Sequence, residues 1–191
     1  MKNDILNVVD KYLIIYPDEK DKQQQLLDFV KTHTSEEIRD WNNFDGHIVV
    51  SGFVYAKNDQ KFLVLYHNDF KLYVYPGGHI DATDITILDT AKREIKEETG
   101  LENLELFKLT DDEMVPLDID RHRIRYNERL NLPEHYHFDF RFLFFVDKIS
   151  DIVLDKEESS DYKWIDIDEL SHNNYGSVAA KILKLIDDKR I

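Results

Sequence analysis

Three glutamates crowd one stretch of this chain, Arg93-Glu94-Ile95-Lys96-Glu97-Glu98-Thr99-Gly100-Leu101. On a helix, at ~100° per residue, Glu94, Glu97 and Glu98 fall within one arc of about 100°. Glu94 and Glu98 form a like-charge pair at i,i+4, which destabilises a helix. A bound divalent cation offsets that cost, and a set of oxygen donors selects a hard ion such as Mg²⁺ or Mn²⁺. The helix is preceded by Pro76-Gly77-Gly78. Gly78 lets the backbone approach closely, so its carbonyl can join the ligands. An ion held there suits an anionic substrate. It neutralises charge that repels an attacking water and acidifies that water, while a glutamate serves as base. The competing reading is a solvated acidic face on an acidic protein.

Two other constellations carry chemistry. In His135-Tyr136-His137-Phe138-Asp139-Phe140-Arg141-Phe142 the residue types alternate strictly. As a strand, this places His135, His137, Asp139 and Arg141 on one face and four aromatic rings on the other. The aromatic face reads as core. The polar face reads as a solvent-facing surface, a substrate contact, or a transition-metal set made by His135, His137 and Asp139, since His-x-His suits imidazole ligation. Arg121, His122, Arg123 and Arg125 form a basic cluster that either meets substrate phosphates or balances local charge. His47, on its own, reads as a structural histidine.

These groups need elements to hold them. Ile5, Val8, Val9, Tyr12 and Leu13 recur at helical spacing until Pro17. Residues 19–32 carry a second helical run with Leu26, Leu27 and Val30. Thr34 and Glu37 have the spacing of a capping box for a third, short helix. Strands are expected at 47–55, 61–66, 72–75 and 135–146, and helices at 87–99 and 177–189. The expected class is α/β, with a helical N-terminal segment over residues 1–45 before a domain spanning 46–191.

Composition narrows the function. There are 25 basic and 39 acidic residues, a net charge of −14, which argues against a nucleic acid polymer or an anionic membrane surface as partner. No stretch approaches the ~20 apolar residues of a membrane span. The N-terminus, broken by Asp4 and Asp10, does not read as a signal peptide. The chain has no cysteine. Disulfides, thiolate metal sites and cysteine nucleophiles are therefore excluded, and the reading fits a reducing, cytoplasmic setting.

The stretch Gly78-x5-Asp84-x8-Arg93-Glu94-Ile95-x-Glu97-Glu98-x-Gly100-Leu101 resembles the Nudix box, G-x5-E-x7-R-E-U-x-E-E-x-G-U, where U is aliphatic. The second half agrees at every defined position. The first half departs twice: Asp84 stands where the family has Glu, and one extra residue precedes Arg93. Either Asp81 or Asp84 is the acid that pairs with Arg93. The resemblance extends over about residues 46–170. It implies an α/β/α sandwich with a mixed sheet, and hydrolysis of a small nucleoside diphosphate derivative. It further implies Mg²⁺ or Mn²⁺ held by Glu94, Glu97, Glu98 and the Gly78 carbonyl, with Arg93 orienting the glutamates. Glu97 and Glu98 are the expected catalytic groups, joined by Glu158 in the loop before Trp164, where family members often carry a further acid. By the same resemblance His135, His137 and Asp139 look onto substrate, and Arg123 is the cluster member assigned to its phosphates. Pro116 lies where some members specific for ADP-ribose carry a proline. The alternative reading is a Nudix-fold sensor that binds a nucleotide without cleaving it. The N-terminal helices either pack over the sheet, cap the site or form a homodimer interface.

Overall fold

A computed structural model describes residues 1–126, 128, 131–171 and 175–191. Helix α1 (Lys2–Ile15) buries Ile5, Val8, Val9 and Tyr12, as its apolar spacing requires. A 3₁₀ turn at Pro17–Glu19 leads into α2 (Lys20–Thr32), which buries Leu26, Phe29 and Val30. The expected third helix is corrected. Thr34 and Glu37 make both capping hydrogen bonds, Glu37 N–H to Thr34 Oγ1 at 3.2 Å and Thr34 N–H to Glu37 Oε2 at 2.7 Å. The chain beyond them nevertheless forms turns. Too few residues separate this cap from the Asp/Asn-rich segment at 40–43 to offset helix nucleation.

The strands are β1 (His47–Ala56), β2 (Lys61–His67), β3 (Leu72–Val74), β4 (Gly77–His79), β5 (Glu105–Leu106), β6 (Asp118–Ile124), β7 (His135–Val146) and β8 (Ser159–Ile165). Three more helices are α3 (Ile87–Thr99), α4 (Ile167–Ser171) and α5 (Gly176–Asp187). All eight strands join one mixed sheet. At its centre β1 runs parallel to β7 from His47↔His137 to Ala56↔Val146. On its other side β1 pairs antiparallel with β4 near its start and with β2 near its end. The sheet therefore splays along β1. The far edge of β7 carries β6 and β5.

Gly52 and Phe53 show how the layers form. Adjacent strand residues face opposite sides. Phe53 stacks at 3.7 Å on Tyr75 and meets the Tyr175 ring, at the start of α5. Gly52 faces the other way, where a Cβ would lie 2.4 Å from Ile95 Cδ1 of α3. The missing side chain sets how closely α3 approaches the sheet. Gly52→Val should force α3 outward, lower stability by ~1–3 kcal/mol, and reduce turnover because α3 carries the glutamates. Thermal melts and initial rates check this. The apolar residues of the N-terminal helices belong to the same buried cluster as the sheet. Among the described residues, no helix is long and apolar enough to cross a membrane.

Candidate active site

Helix α3 is fixed at both ends. Asp89 N–H donates to Thr86 Oγ1 at 3.1 Å and Thr86 N–H donates back to Asp89 Oδ2 at 3.0 Å, a closed capping box. Gly100 ends the helix in the left-handed conformation at φ 71°. Ile87, Leu88, Ala91 and Ile95 are buried. The acid that partners Arg93 is Asp84. Arg93 Nε donates to Asp84 Oδ1 at 3.1 Å, and Nη2 donates to Asp84 Oδ2 at 2.9 Å. The same guanidinium donates to the His79 carbonyl at 2.8 Å and to Glu97 Oε2 at 2.7 Å. Asp81 is exposed and accepts from Thr83 N–H instead. Arg93 therefore ties the inserted loop, β4 and Glu97 together.

The three box glutamates have different surroundings. Glu94 and Glu98 are buried, at 8% and 4% exposure. The Glu97 side chain is 56% exposed and lies against Arg93. Glu98 Oε2 accepts from Gly77 N–H at 3.0 Å, and Glu158 lies close enough to raise the Glu98 carboxyl. Glu94 Oε1 lies 2.9 Å from Arg93 Nη2. At Gly78 a Cβ would stand 2.6 Å from Glu94 Oε1, so any larger side chain there displaces that carboxylate. Burial, with Glu94 and Glu158 nearby, pushes the Glu98 carboxyl up to about 9. Burial pushes Glu94 up to about 7, against the pull of Arg93. Glu94 and Glu158 both lie close enough to raise the Glu98 carboxyl, and Arg93 is the cation beside Glu94, so the carboxylate oxygens here outnumber the positive charge. That donor set fits a hard divalent cation.

A pH dependence follows for protein kept in chelator. Unfolded glutamates titrate near ~4.3, whereas folded Glu94 and Glu98 keep their protons to about 7 and about 9. The folded state then binds more protons, so stability should fall as pH rises towards 9. Burial also lowers His47 and His79 to about 4. Their contribution has the opposite sign and ends near ~6.5, the unfolded histidine value. Melting curves should therefore show the fall between about pH 6.5 and 9, and Mg²⁺ should abolish it.

Beside the carboxylates opens a cavity of about 610 Å³. Glu94, Arg93, Gly78 and Glu158 lie on its wall, as do His137, Asp139 and Arg123. The solvent-facing reading of the β7 polar face is corrected. His135, Asp139 and Arg141 are 3%, 3% and 2% exposed. His135 is not among the cavity-lining residues; its Nδ1 bonds to the Pro133 carbonyl at 2.7 Å. Asp139 is engaged by Arg141 Nε at 2.8 Å and Ser51 Oγ at 2.9 Å. Those partners remove it from the anticipated His135-His137-Asp139 metal set. The histidines instead gather around His47, His79 and His137. Arg123 is exposed at the rim and ion-paired with Glu134. Arg121 stacks on Tyr136.

Sequence reasoning passed over Asp118 and Asp120 and took His122 only as a member of the basic cluster. Their alternation in β6 mirrors His137-x-Asp139-x-Arg141, and the two strands pair in register as Asp118↔Arg141, Asp120↔Asp139 and His122↔His137. Arg141 Nη1 donates to Asp118 and Nη2 to Asp120, each at 3.1 Å. Lys181 of α5 and Tyr12 of α1 close on Asp118 from the other side. His79 was also missed. Its signal was only its place directly after the two glycines.

A family model described as NUDIX domain matches residues 45–186. A probable DHNTP pyrophosphohydrolase of Lactococcus lactis subsp. cremoris is 32% identical over 125 residues, covering 64% of this chain and 69% of that protein. The E. coli dihydroneopterin triphosphate pyrophosphohydrolase shares the fold at TM-score 0.56 and 18% identity, over 74% of this chain and 95% of that one. A C. elegans Ap4A hydrolase also shares it, at TM-score 0.56 and 15% identity, over 74% and 98%.

Proposed function

The chain belongs to the Nudix hydrolase family, and on that premise we propose that it is a divalent-metal-dependent pyrophosphohydrolase of a small nucleotide-like substrate. The observation that carries this reading is the burial of Glu94 and Glu98 on one helix, with Glu94 over the side-chain-free Gly78 and with Glu94 and Glu158 on the wall of an open cavity. Glu94, Glu97, Glu98 and the Gly78 carbonyl are the proposed holders of Mg²⁺ or Mn²⁺. The ion, when bound, supplies charge neutralisation on the phosphates and acidification of water. Arg93 positions Glu97 and the loop without touching the reacting atoms. Glu98, buried with its carboxyl raised by burial and by Glu94 and Glu158 nearby, is suited to hold and release the proton of an attacking water. His137 and Arg123 are donors for the phosphate chain.

Above this floor Trp41, Phe70 and Tyr75 line the cavity, with Trp41 and Phe70 about half exposed. Aromatic rings at a cavity mouth suit a planar heterocycle, as in a nucleobase or a pterin. The 32% identical relative named for DHNTP places dihydroneopterin triphosphate first among substrates to assay. Nucleoside triphosphates, ADP-ribose and Ap4A complete the panel. Release of phosphate, pyrophosphate or a nucleoside monophosphate from at least one member supports the reading. Tight binding across the panel without any product would favour the sensor alternative.

A further inference from the structure

We propose that His47, His79 and His137 form a second metal site, chemically distinct from the carboxylates, that takes a borderline transition ion such as Zn²⁺, Co²⁺ or Ni²⁺. One ring nitrogen of each lies within 4.8 Å of the others. The closest measured approach is 3.1 Å, between His47 Nε2 and His79 Nε2. Two imidazole nitrogens on one tetrahedral zinc, each at ~2.0–2.1 Å, stand ~3.4 Å apart. Small side-chain rotations therefore bring three ligands onto one ion.

The tautomer of His47 is set in advance. Its Nδ1 lies 3.2 Å from the Asn43 carbonyl, which can only accept, so Nδ1 carries the proton. The Nε2 lone pair then faces His79. A carbonyl holding the outer nitrogen of a ligating histidine is the usual support for a metal ligand. Without an ion, one proton bridges His79 and His47, and an ion would replace it. His135 Nε2 lies 3.1 Å from His137 Nε2 and orients that ring from behind.

Donor chemistry separates the two sites. The histidine group has three imidazoles and no carboxylate. Imidazole favours Zn²⁺, Co²⁺, Ni²⁺ or Cu²⁺ over Mg²⁺. The topology also leaves an open coordination position. His47 is fully buried and closes the back, whereas His79 and His137 line the cavity. Three histidines with a free fourth position is an arrangement that admits water or a substrate oxygen. This inference does not depend on which phosphate compound is cleaved.

The test is a Co²⁺ titration of the wild-type protein in excess Mg²⁺, followed by the visible absorption of the bound ion. One Co²⁺ per chain is expected, displaceable by Zn²⁺. X-ray absorption of the zinc form should show three imidazole ligands. His79→Gln and His137→Gln should weaken Co²⁺ binding by ~100-fold or more, whereas Glu98→Gln should keep it. No bound Co²⁺ in the wild type would overturn the proposal and reduce the cluster to hydrogen-bonded histidines. Binding that disappears with Glu98→Gln, or a zinc spectrum with fewer than three imidazoles, would overturn it too. Both the titration and the spectrum are read on the unaltered protein, and neither needs turnover.

Discussion

Glu98→Gln is expected to lower turnover by at least ~10²-fold and, in chelator above about pH 6.5, to raise the melting temperature. The two effects share one cause. Glu98 is buried against Glu94 and Glu158, and burial pushes its carboxyl up to about 9. Gln has nearly the same shape and can still accept from Gly77 N–H, so the packing survives. Gln cannot ionise, so it avoids the cost of keeping protonated a carboxyl that the unfolded chain ionises above ~4.3. It also removes a proposed metal ligand and proton carrier, and general acid–base catalysis alone contributes ~10²–10⁴-fold. Stability and activity therefore move in opposite directions, as they do where a site is built at the expense of the fold. Initial rates with saturating Mg²⁺, beside melts with and without chelator, measure both. If Glu98→Gln lost activity together with stability, the residue would be structural instead.

Arg141→Met is expected to have the largest effect on stability, about 3–5 kcal/mol. Arg141 is 2% exposed and binds Asp139 at 2.8 Å, Asp118 at 3.1 Å and Asp120 at 3.1 Å. Methionine matches much of its volume but leaves those carboxylates without their shared cation. Lys181 and Lys22 still reach Asp118, so the loss stays bounded. For a chain of this length it corresponds to a fall of ~6–20 °C in melting temperature. An acid signature accompanies it. Against burial, Lys181, Lys22 and Arg141 hold Asp118 below the usual carboxylate range, and His122, Arg141 and Lys22 hold Asp120 there. Groups shifted that way stabilise the fold above the unfolded pKa and lose that contribution as pH falls below ~4. Below that pH the wild type should lose stability steeply and Arg141→Met more shallowly. Equal slopes would show that Arg141 does not set those carboxylates.

The two residues also mark what the sequence makes legible. Helix α3 declares itself because apolar spacing, a preceding glycine turn and Gly100 all agree. Its expected limits match the helix found, and so do those of β7, where aromatic and polar residues alternate without a break. Strand β6 hides because Asp-Ile-Asp-Arg-His-Arg-Ile looks like exposed surface. Its carboxylates are instead consumed by Arg141 on the neighbouring strand, and pairing between distant strands leaves no local trace. Strands β4 and β5 have three and two residues, too few for any periodicity. Thr34-x-x-Glu37 shows the reverse failure, a local signal that forms its hydrogen bonds without a helix to follow.

For the site, the glutamates were legible because one helix carries them all. The histidine cluster was not, because His47, His79 and His137 come from three strands. Only the pairing of β1 with both β4 and β7 brings them together. Arg93 shows the middle case. Its role as an organiser is what the resemblance implies, but its choice of Asp84 over Asp81 depends on how the inserted residue is absorbed.

The central claim is that an acidic helix face in a protein of net charge −14 becomes a catalytic site for anionic phosphates once a divalent ion arrives. The most direct measurement is product release from the substrate panel by protein stripped with chelator, before and after addition of Mg²⁺ or Mn²⁺. The account predicts no turnover in chelator and full recovery on adding either metal to wild-type protein, with no recovery in Glu98→Gln. Turnover that persists in chelator, or that Mg²⁺ restores equally in Glu98→Gln, would contradict it.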